Sequence, residues 1–110
     1  MARAALKTVA AKGEPVTYRD LAATLELSPP NTIRQVTDAL EYLMHEDAAE
    51  SVPFIAALVI GRARNGLPGP GFFETARALG RFDGNLENDA AAYHAKVLAE
   101  AVRYWGTNGA

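Results

Sequence analysis

The chain has 110 residues, of which 49% are hydrophobic and 22% charged, as expected for one globular domain with one core. Its 11 Lys and Arg against 13 Asp and Glu give a formal net charge of −2, which counts against a strongly basic nucleic-acid binder. The lack of cysteine excludes disulfides, thiolate metal sites and thiol nucleophiles, and it fits a cytoplasmic protein. The longest apolar run, Val52 to Ile60, is too short to span a bilayer, so no membrane partner is expected.

The first predicted element is a helix over residues 2 to 12, where small apolar side chains recur at helical spacing before the natural stop at Gly13. A short extended segment follows, in which Val16 is expected to pair with a later strand. Thr17 and Asp20 have the spacing of a capping box, which predicts the start of a second helix.

A turn with two consecutive prolines separates the second helix from a third. Pro29 and Pro30 end the second helix, and Ser28 is the predicted N-cap of the third, which should run from about Asn31 to Glu46. The apolar side chains of the third helix share one face and should be buried; they are Ile33, Val36, Leu40, Leu43 and Met44.

The run from Val52 to Ile60 predicts a strand that is covered on both faces and paired with Val16. The following segment, Arg62 to Gly71, contains the turn signal Asn65-Gly66 and further Gly and Pro residues, which exclude regular structure. We interpret this segment as a rigid connector in the position where a winged-helix domain carries its wing.

Two more helices complete the prediction. One covers residues 71 to 80 and turns Phe72 and Phe73 inward. The last runs from Leu86 to Trp105 and carries His94 on its apolar face, which is typical of a hydrogen-bonded core histidine.

The order helix, strand, helix, turn, helix, strand and loop over residues 2–70 resembles a winged helix-turn-helix domain. We therefore expect a mainly α fold with a small β element, in which residues 71–106 form a C-terminal helical extension. No linker or repeat divides the sequence, so residues 1–110 are expected to form a single winged-helix-like domain.

A narrower resemblance is to the DNA-binding domain of alkylguanine-DNA alkyltransferases and alkyltransferase-like proteins. The stretch Val16 to Ala22 is similar to the Val-x-Tyr-Gly-x-Ile-Ala stretch that leads into their second helix. Arg34-Gln35-Val36 matches the Arg-x-Val context of the arginine that enters the duplex in that family. Pro53 also matches, but Phe54–Ala56 stand where the reactive motif has Cys, His and Arg. The resemblance therefore implies DNA binding without alkyl transfer.

Polar residues at the start of the third helix and arginines of the connector are the candidate DNA contacts. The N-terminal end of a recognition helix meets base edges, where Arg and Gln make bidentate contacts, and loop arginines hold phosphates. One alternative interpretation is a solvated surface. Another is pairing of the acidic run Glu41 to Glu50 with the arginines of residues 62–81, which are Arg62, Arg64, Arg77 and Arg81. The candidate residues are Tyr18, Arg19, Arg34, Gln35, Thr37, Arg62 and Arg64.

Duplex DNA is thus one expected partner, and a homodimer formed through the last helix would let the chain read two half-sites. The alternative is a protein-interaction or adaptor module on the same scaffold, which would expose an aromatic patch around Phe72, Phe73 or Trp105 and bind a protein partner. The candidate residues for a dimer or partner surface are Phe72, Val97, Ala101, Tyr104 and Trp105.

No residue pattern indicates an enzyme. The histidines, His45 and His94, lack metal-ligand spacing, and the serines, Ser28 and Ser51, lie outside any nucleophile elbow. We therefore predict no catalytic residue, no metal ligand and no cofactor, and a non-enzymatic DNA-binding module.

Overall fold

Five helices and two very short strands form the described part of the molecule. The computed structural model describes residues 2–62 and 65–108. The elements are α1 (Ala2–Lys12), β1 (Val16–Thr17), α2 (Tyr18–Thr24), α3 (Thr32–Ala49), a 3-10 helix (Ile55–Leu58), β2 (Val59–Ile60), α4 (Pro70–Ala78) and α5 (Ala90–Asn108). The predicted class, mainly α with a small β element, is confirmed.

Local capping explains where α1 and α2 begin and end. Helix α1 ends at Gly13, which has a φ of 77° that an L side chain rarely adopts. The amide of Asp20 donates to the Thr17 hydroxyl at 3.1 Å, so the predicted N-cap of α2 is confirmed.

The start and end of α3 differ from the prediction. Its N-cap is Asn31, with a φ of 63° and no side-chain hydrogen bond to the helix, so the assignment of Ser28 as the cap is wrong. Helix α3 also runs to Ala49, beyond the predicted end at Glu46. Ile33 is 48% exposed, because the first turn of α3 projects from the core, whereas the other four predicted core positions of this helix are buried.

The sheet is a parallel pair in which Val16 lies opposite Val59 and Thr17 opposite Ile60. The predicted pairing of Val16 is therefore confirmed, but the predicted strand over Val52 to Ile60 is wrong for most of its length. Its centre is a 3-10 helix, although every residue from Phe54 to Val59 is buried as expected. The winged-helix topology is not established by this pair and stays a prediction.

Side chains from other parts of the chain explain why this segment is not a strand. They form hydrogen bonds with the backbone at the start of the 3-10 helix and just before it. The Asp47 carboxylate accepts from the Ile55 amide at 2.9 Å. The Trp105 indole donates to the Pro53 carbonyl at 2.8 Å, and Arg81 donates to the Val52 carbonyl at 2.7 Å. These bonds occupy groups that a strand ladder would otherwise need.

The core lies around the 3-10 helix, against which α1, α3 and α5 all pack. Helix α5 also packs along α1, and α4 packs on α3. His94 is 4% exposed and its Nε2 lies 2.9 Å from the Ala57 carbonyl, which confirms it as a hydrogen-bonded core residue. None of the helices in the described ranges combines the length and apolarity that crossing a bilayer requires.

The last helix begins at Ala90 rather than at Leu86. The Asn85 side chain accepts from the amides of Glu87 and Asn88 at 2.7 and 3.1 Å, which folds these residues into a turn before the helix starts. Leu86 is left 43% exposed.

Candidate nucleic-acid interface

Three of the predicted DNA-contacting arginines, Arg19, Arg34 and Arg62, are exposed. None of them forms an ion pair with any of the residues that the structure describes. Arg64, the fourth predicted arginine, lies outside the described residues. The three described guanidinium groups are therefore available to an external anion.

Tyr18 lies beside two of these arginines and is hydrogen-bonded to the segment that follows Arg62. Arg19 and Arg62 line one groove of about 180 Å³, together with Thr17, Tyr18 and Gly61. The Tyr18 hydroxyl accepts a hydrogen bond from the Gly69 amide at 2.7 Å. Strand β1, the start of α2 and the end of β2 thus place two cations at one groove.

Closure of the connector on itself fixes the base of the loop that carries Arg62. The Gly61 amide donates to the Leu67 carbonyl at 2.8 Å and so joins the two ends of the loop. Asn65 and Gly66, with φ values of 54° and 80°, supply the left-handed turn that this closure needs. The predicted turn at Asn65-Gly66 is confirmed.

Arg34 lies in the first turn of α3. Thr37 and Glu41 follow Arg34 at intervals of three and seven residues, so the three share one side of the helix. Thr37 and Glu41 line a narrow cavity together with Tyr18. We call the three exposed arginines, Arg19, Arg34 and Arg62, the basic face.

Gln35 and Thr37 form local hydrogen bonds. The Gln35 amide nitrogen donates to the carbonyls of Ser28 and Pro30, at 3.0 and 3.1 Å, and so holds the turn between α2 and α3 against the helix. The Thr37 hydroxyl donates to the Ile33 carbonyl at 3.0 Å. Both side chains stabilise the elements that present Arg34, and a direct role in base contacts stays a prediction.

The acidic end of α3 is neutralised from α1. Arg3 donates to Glu46 at 2.9 Å and to Asp47 at 2.8 Å. Among the described residues, the arginines of residues 62–81 form no ion pair with the acidic run, although Arg81 donates to the backbone carbonyl of Asp47 at 3.2 Å. The basic face retains two exposed carboxylates in its neighbourhood, Asp20 and Asp38, so its positive charge is modest.

The predicted dimer or partner surface is mostly core. Phe72 and Val97 are each 7% exposed and Ala101 is 0% exposed, because α4 and α5 turn these side chains toward the 3-10 helix. They are therefore removed from the candidate surface. Tyr104 and Trp105 are partly exposed, and the Trp105 ring lies under the Arg3 guanidinium at 5.0 Å.

Sequence reasoning missed the role of Asp47, which is 1% exposed. Burial raises the pKa of its carboxyl group, and the hydrogen bonds from the Ile55 amide and from Arg3 oppose that rise. The available signal was its phase, since Asp47 follows Leu40 and Leu43 at helical spacing on the buried face.

The resemblance to alkyltransferases places its reactive motif at Phe54–Ala56, and all three side chains are at most 1% exposed. None of these three side chains is therefore exposed to a substrate. Comparisons of the chain with protein-family models, with curated proteins and with solved structures found no match.

Proposed function

We propose that this chain is a non-enzymatic module of winged-helix type that binds duplex DNA weakly through the basic face. The observation that carries the proposal is the contrast among its arginines. Arg3 and Arg81 are engaged by carboxylates or carbonyls of the chain itself, whereas Arg19, Arg34 and Arg62 are exposed without an ion-pair partner among the described residues.

The position of Arg34 supports a role in base contacts. It lies in the first turn of α3, and the N-terminal turns of the second helix of a helix-turn-helix enter the major groove. An arginine there can donate two parallel hydrogen bonds to guanine. Arg19 and Arg62, at the neighbouring groove, suit contacts to phosphate oxygens, which position a protein on the duplex without reading sequence.

The charge of the chain limits the affinity that this face can supply. Three cations release at most about three counterions, so the logarithm of the binding constant should fall with the logarithm of salt concentration with a slope of about −2 to −3. The net charge of −2 opposes the approach of the duplex. Weak binding, with a dissociation constant of roughly 10 to 100 μM at low salt, is therefore expected.

The test is fluorescence anisotropy with a labelled duplex of about 20 base pairs, at about 50 and about 200 mM salt. The double variant Arg19→Gln/Arg62→Gln should lose most of the binding. The matched control is Lys96→Gln/Arg103→Gln, which changes the net charge equally but lies on α5, and it should bind like the original protein.

Absence of binding at low salt, or equal losses in the two double variants, would overturn the proposal. The adaptor function would then be the remaining proposal. The exposed aromatic patch that it requires is largely missing among the described residues. Phe72 and Phe73 are buried, and Trp105 is partly covered by Arg3 and Lys7.

A further inference from the structure

A cleft of about 710 Å³ opens between the segment Ser51–Phe54 and α5. It shares no lining residue with the groove between Arg19 and Arg62. A volume of this size is in the range of pockets that hold small organic molecules. The chemistry of its wall indicates what kind of molecule it suits.

Cations outnumber carboxylates along this wall. Arg81, Lys96 and Arg103 line the cleft, and Glu100 is the one carboxylate among its described lining residues. Lys96 and Arg103 are exposed and form no ion pair among the residues that the structure covers. The resulting excess of positive charge favours an anionic ligand.

Arg81 is held in place before any ligand arrives. Its two terminal nitrogens donate to the carbonyls of Val52 and Asp47, at 2.7 and 3.2 Å, and its guanidinium lies 4.4 Å from the centre of the Phe54 ring. A guanidinium has five N–H donors, so these two bonds leave others for a carboxylate or phosphate. An arginine fixed in this way loses little conformational freedom when it binds an anion.

Tyr93 adds a second and independent observation. Its hydroxyl is buried at the cleft wall and has no hydrogen-bond partner among the described residues. Burial raises the pKa of Tyr93, and the charges of Arg81 and Glu100, which line the same cleft, shift that pKa in opposite directions. A buried donor without a partner is uncommon, and a ligand acceptor would satisfy it after a small movement of the ring.

We propose that this cleft binds a small organic anion with an apolar body. Its carboxylate or phosphate group lies between Arg81, Lys96 and Arg103, and its apolar part packs against Val52 and Pro53, which are partly exposed at the cleft floor. This site is separate from the basic face and does not depend on DNA binding.

The test is a titration of the full chain followed by two-dimensional ¹H–¹⁵N NMR with four probes. Benzoate and phenyl phosphate each carry an anionic group and a ring, inorganic phosphate lacks the ring, and benzamide is a neutral counterpart of benzoate. Benzoate or phenyl phosphate should give saturable chemical-shift changes at the amides of Val52, Arg81 and Tyr93, with a dissociation constant of about 1 mM. Whichever of the two binds more tightly identifies the head group, and inorganic phosphate and benzamide should bind at least about tenfold more weakly.

Two variants separate a built site from nonspecific contact. Lys96→Gln/Arg103→Gln should weaken the binding of the better probe by about tenfold or more, whereas Arg19→Gln/Arg62→Gln should leave it unchanged. Equal binding of benzamide and benzoate, an unaffected Lys96→Gln/Arg103→Gln variant, or no saturable shift up to about 10 mM would overturn the proposal.

Discussion

The arginines of this chain serve two regions of the molecule in opposite ways. Around Asp47, Arg3 and Arg81 donate to carboxylates and carbonyls and tie three elements together. On the basic face, Arg19 and Arg62 border a groove and form no ion pair with the described residues. Arginine thus links distant segments of the fold in one region, whereas in the other it is exposed without an ion-pair partner among the described residues.

Burial accounts for the difference between the two regions. The Asp47 carboxylate is almost completely removed from water, and an unpaired charge in that position would be costly. Arg3 and the Ile55 amide supply its partners at 2.8 and 2.9 Å. Exposed arginines face no such penalty, so they can remain unpaired within the chain.

The comparison predicts its largest effect at Asp47. Asp47→Ala leaves the buried Ile55 amide without its acceptor and removes one of the two carboxylates that bind Arg3, so the free energy of unfolding should fall by about 3 kcal/mol. Urea denaturation measures this change. The matched control is Glu46→Gln, which removes the exposed partner of Arg3 and should cost no more than about 0.5 kcal/mol. Similar losses in the two variants would break the distinction between buried and exposed pairs.

The second prediction sets one arginine from each region side by side. Arg81→Gln removes two bonds to carbonyls and a ring contact, and should lower the free energy of unfolding by about 2 kcal/mol. Arg34→Gln should change it by less than about 0.5 kcal/mol while weakening duplex binding. Thermal denaturation and anisotropy on both variants check this. A large loss of stability in Arg34→Gln would show that the basic face is structural.

The buried residue His94 should make the free energy of unfolding depend on pH. Burial lowers the pKa of His94, and the hydrogen bond to Ala57 only partly opposes this shift. Between the lowered pKa and the ordinary value of about 6.5, the unfolded chain binds a proton that the folded chain does not. Stability should therefore fall as the pH is lowered from about 7.5 to about 5.5.

Urea denaturation at several pH values measures that slope. His94→Gln keeps an amide that can donate to the Ala57 carbonyl but cannot titrate, so its stability should vary less over the same range. The same slope in the variant and in the original protein would place the responsible group elsewhere.

The smallest expected effect concerns Gln35, which holds the turn before α3. Gln35→Ala removes two hydrogen bonds to carbonyls on an exposed surface and should cost about 0.5 kcal/mol. If Gln35 acts through the turn alone, the variant should lose less duplex affinity than Arg34→Gln. A larger loss of affinity than in Arg34→Gln would assign Gln35 to direct base contact.

Local patterns predicted those parts of the fold that depend on neighbouring residues. The Thr17 cap of α2 and the stop at Gly13 follow from a few adjacent side chains, and both are confirmed. The 3-10 helix could not be predicted in this way, because the carbonyls of the two residues before its cap are held by Arg81 and Trp105, far along the chain. A buried apolar run shows that a segment is covered, but the partners of its backbone decide whether it forms a strand.

The candidate site was predictable to a similar extent. The exposure of Arg19 and Arg34 follows from helical phase, and the closeness of Arg19 to Arg62 follows from the predicted pairing of Val16 with a later strand. The pairing of Arg3 with Asp47 was not predictable. The two residues lie 44 positions apart in the sequence, and charge alone allows many pairings. Helical phase predicted that Phe72 turns inward, which its burial confirms, and the same argument should have assigned Val97 and Ala101 to the core.

The salt dependence of duplex binding tests the central claim most directly. The logarithm of the binding constant, plotted against the logarithm of salt concentration, should have a slope of about −2 to −3 for the original protein. Arg19→Gln/Arg62→Gln should bring that slope about two units closer to zero, and Lys96→Gln/Arg103→Gln should leave it unchanged. A slope unaffected by loss of Arg19 and Arg62 would contradict the account.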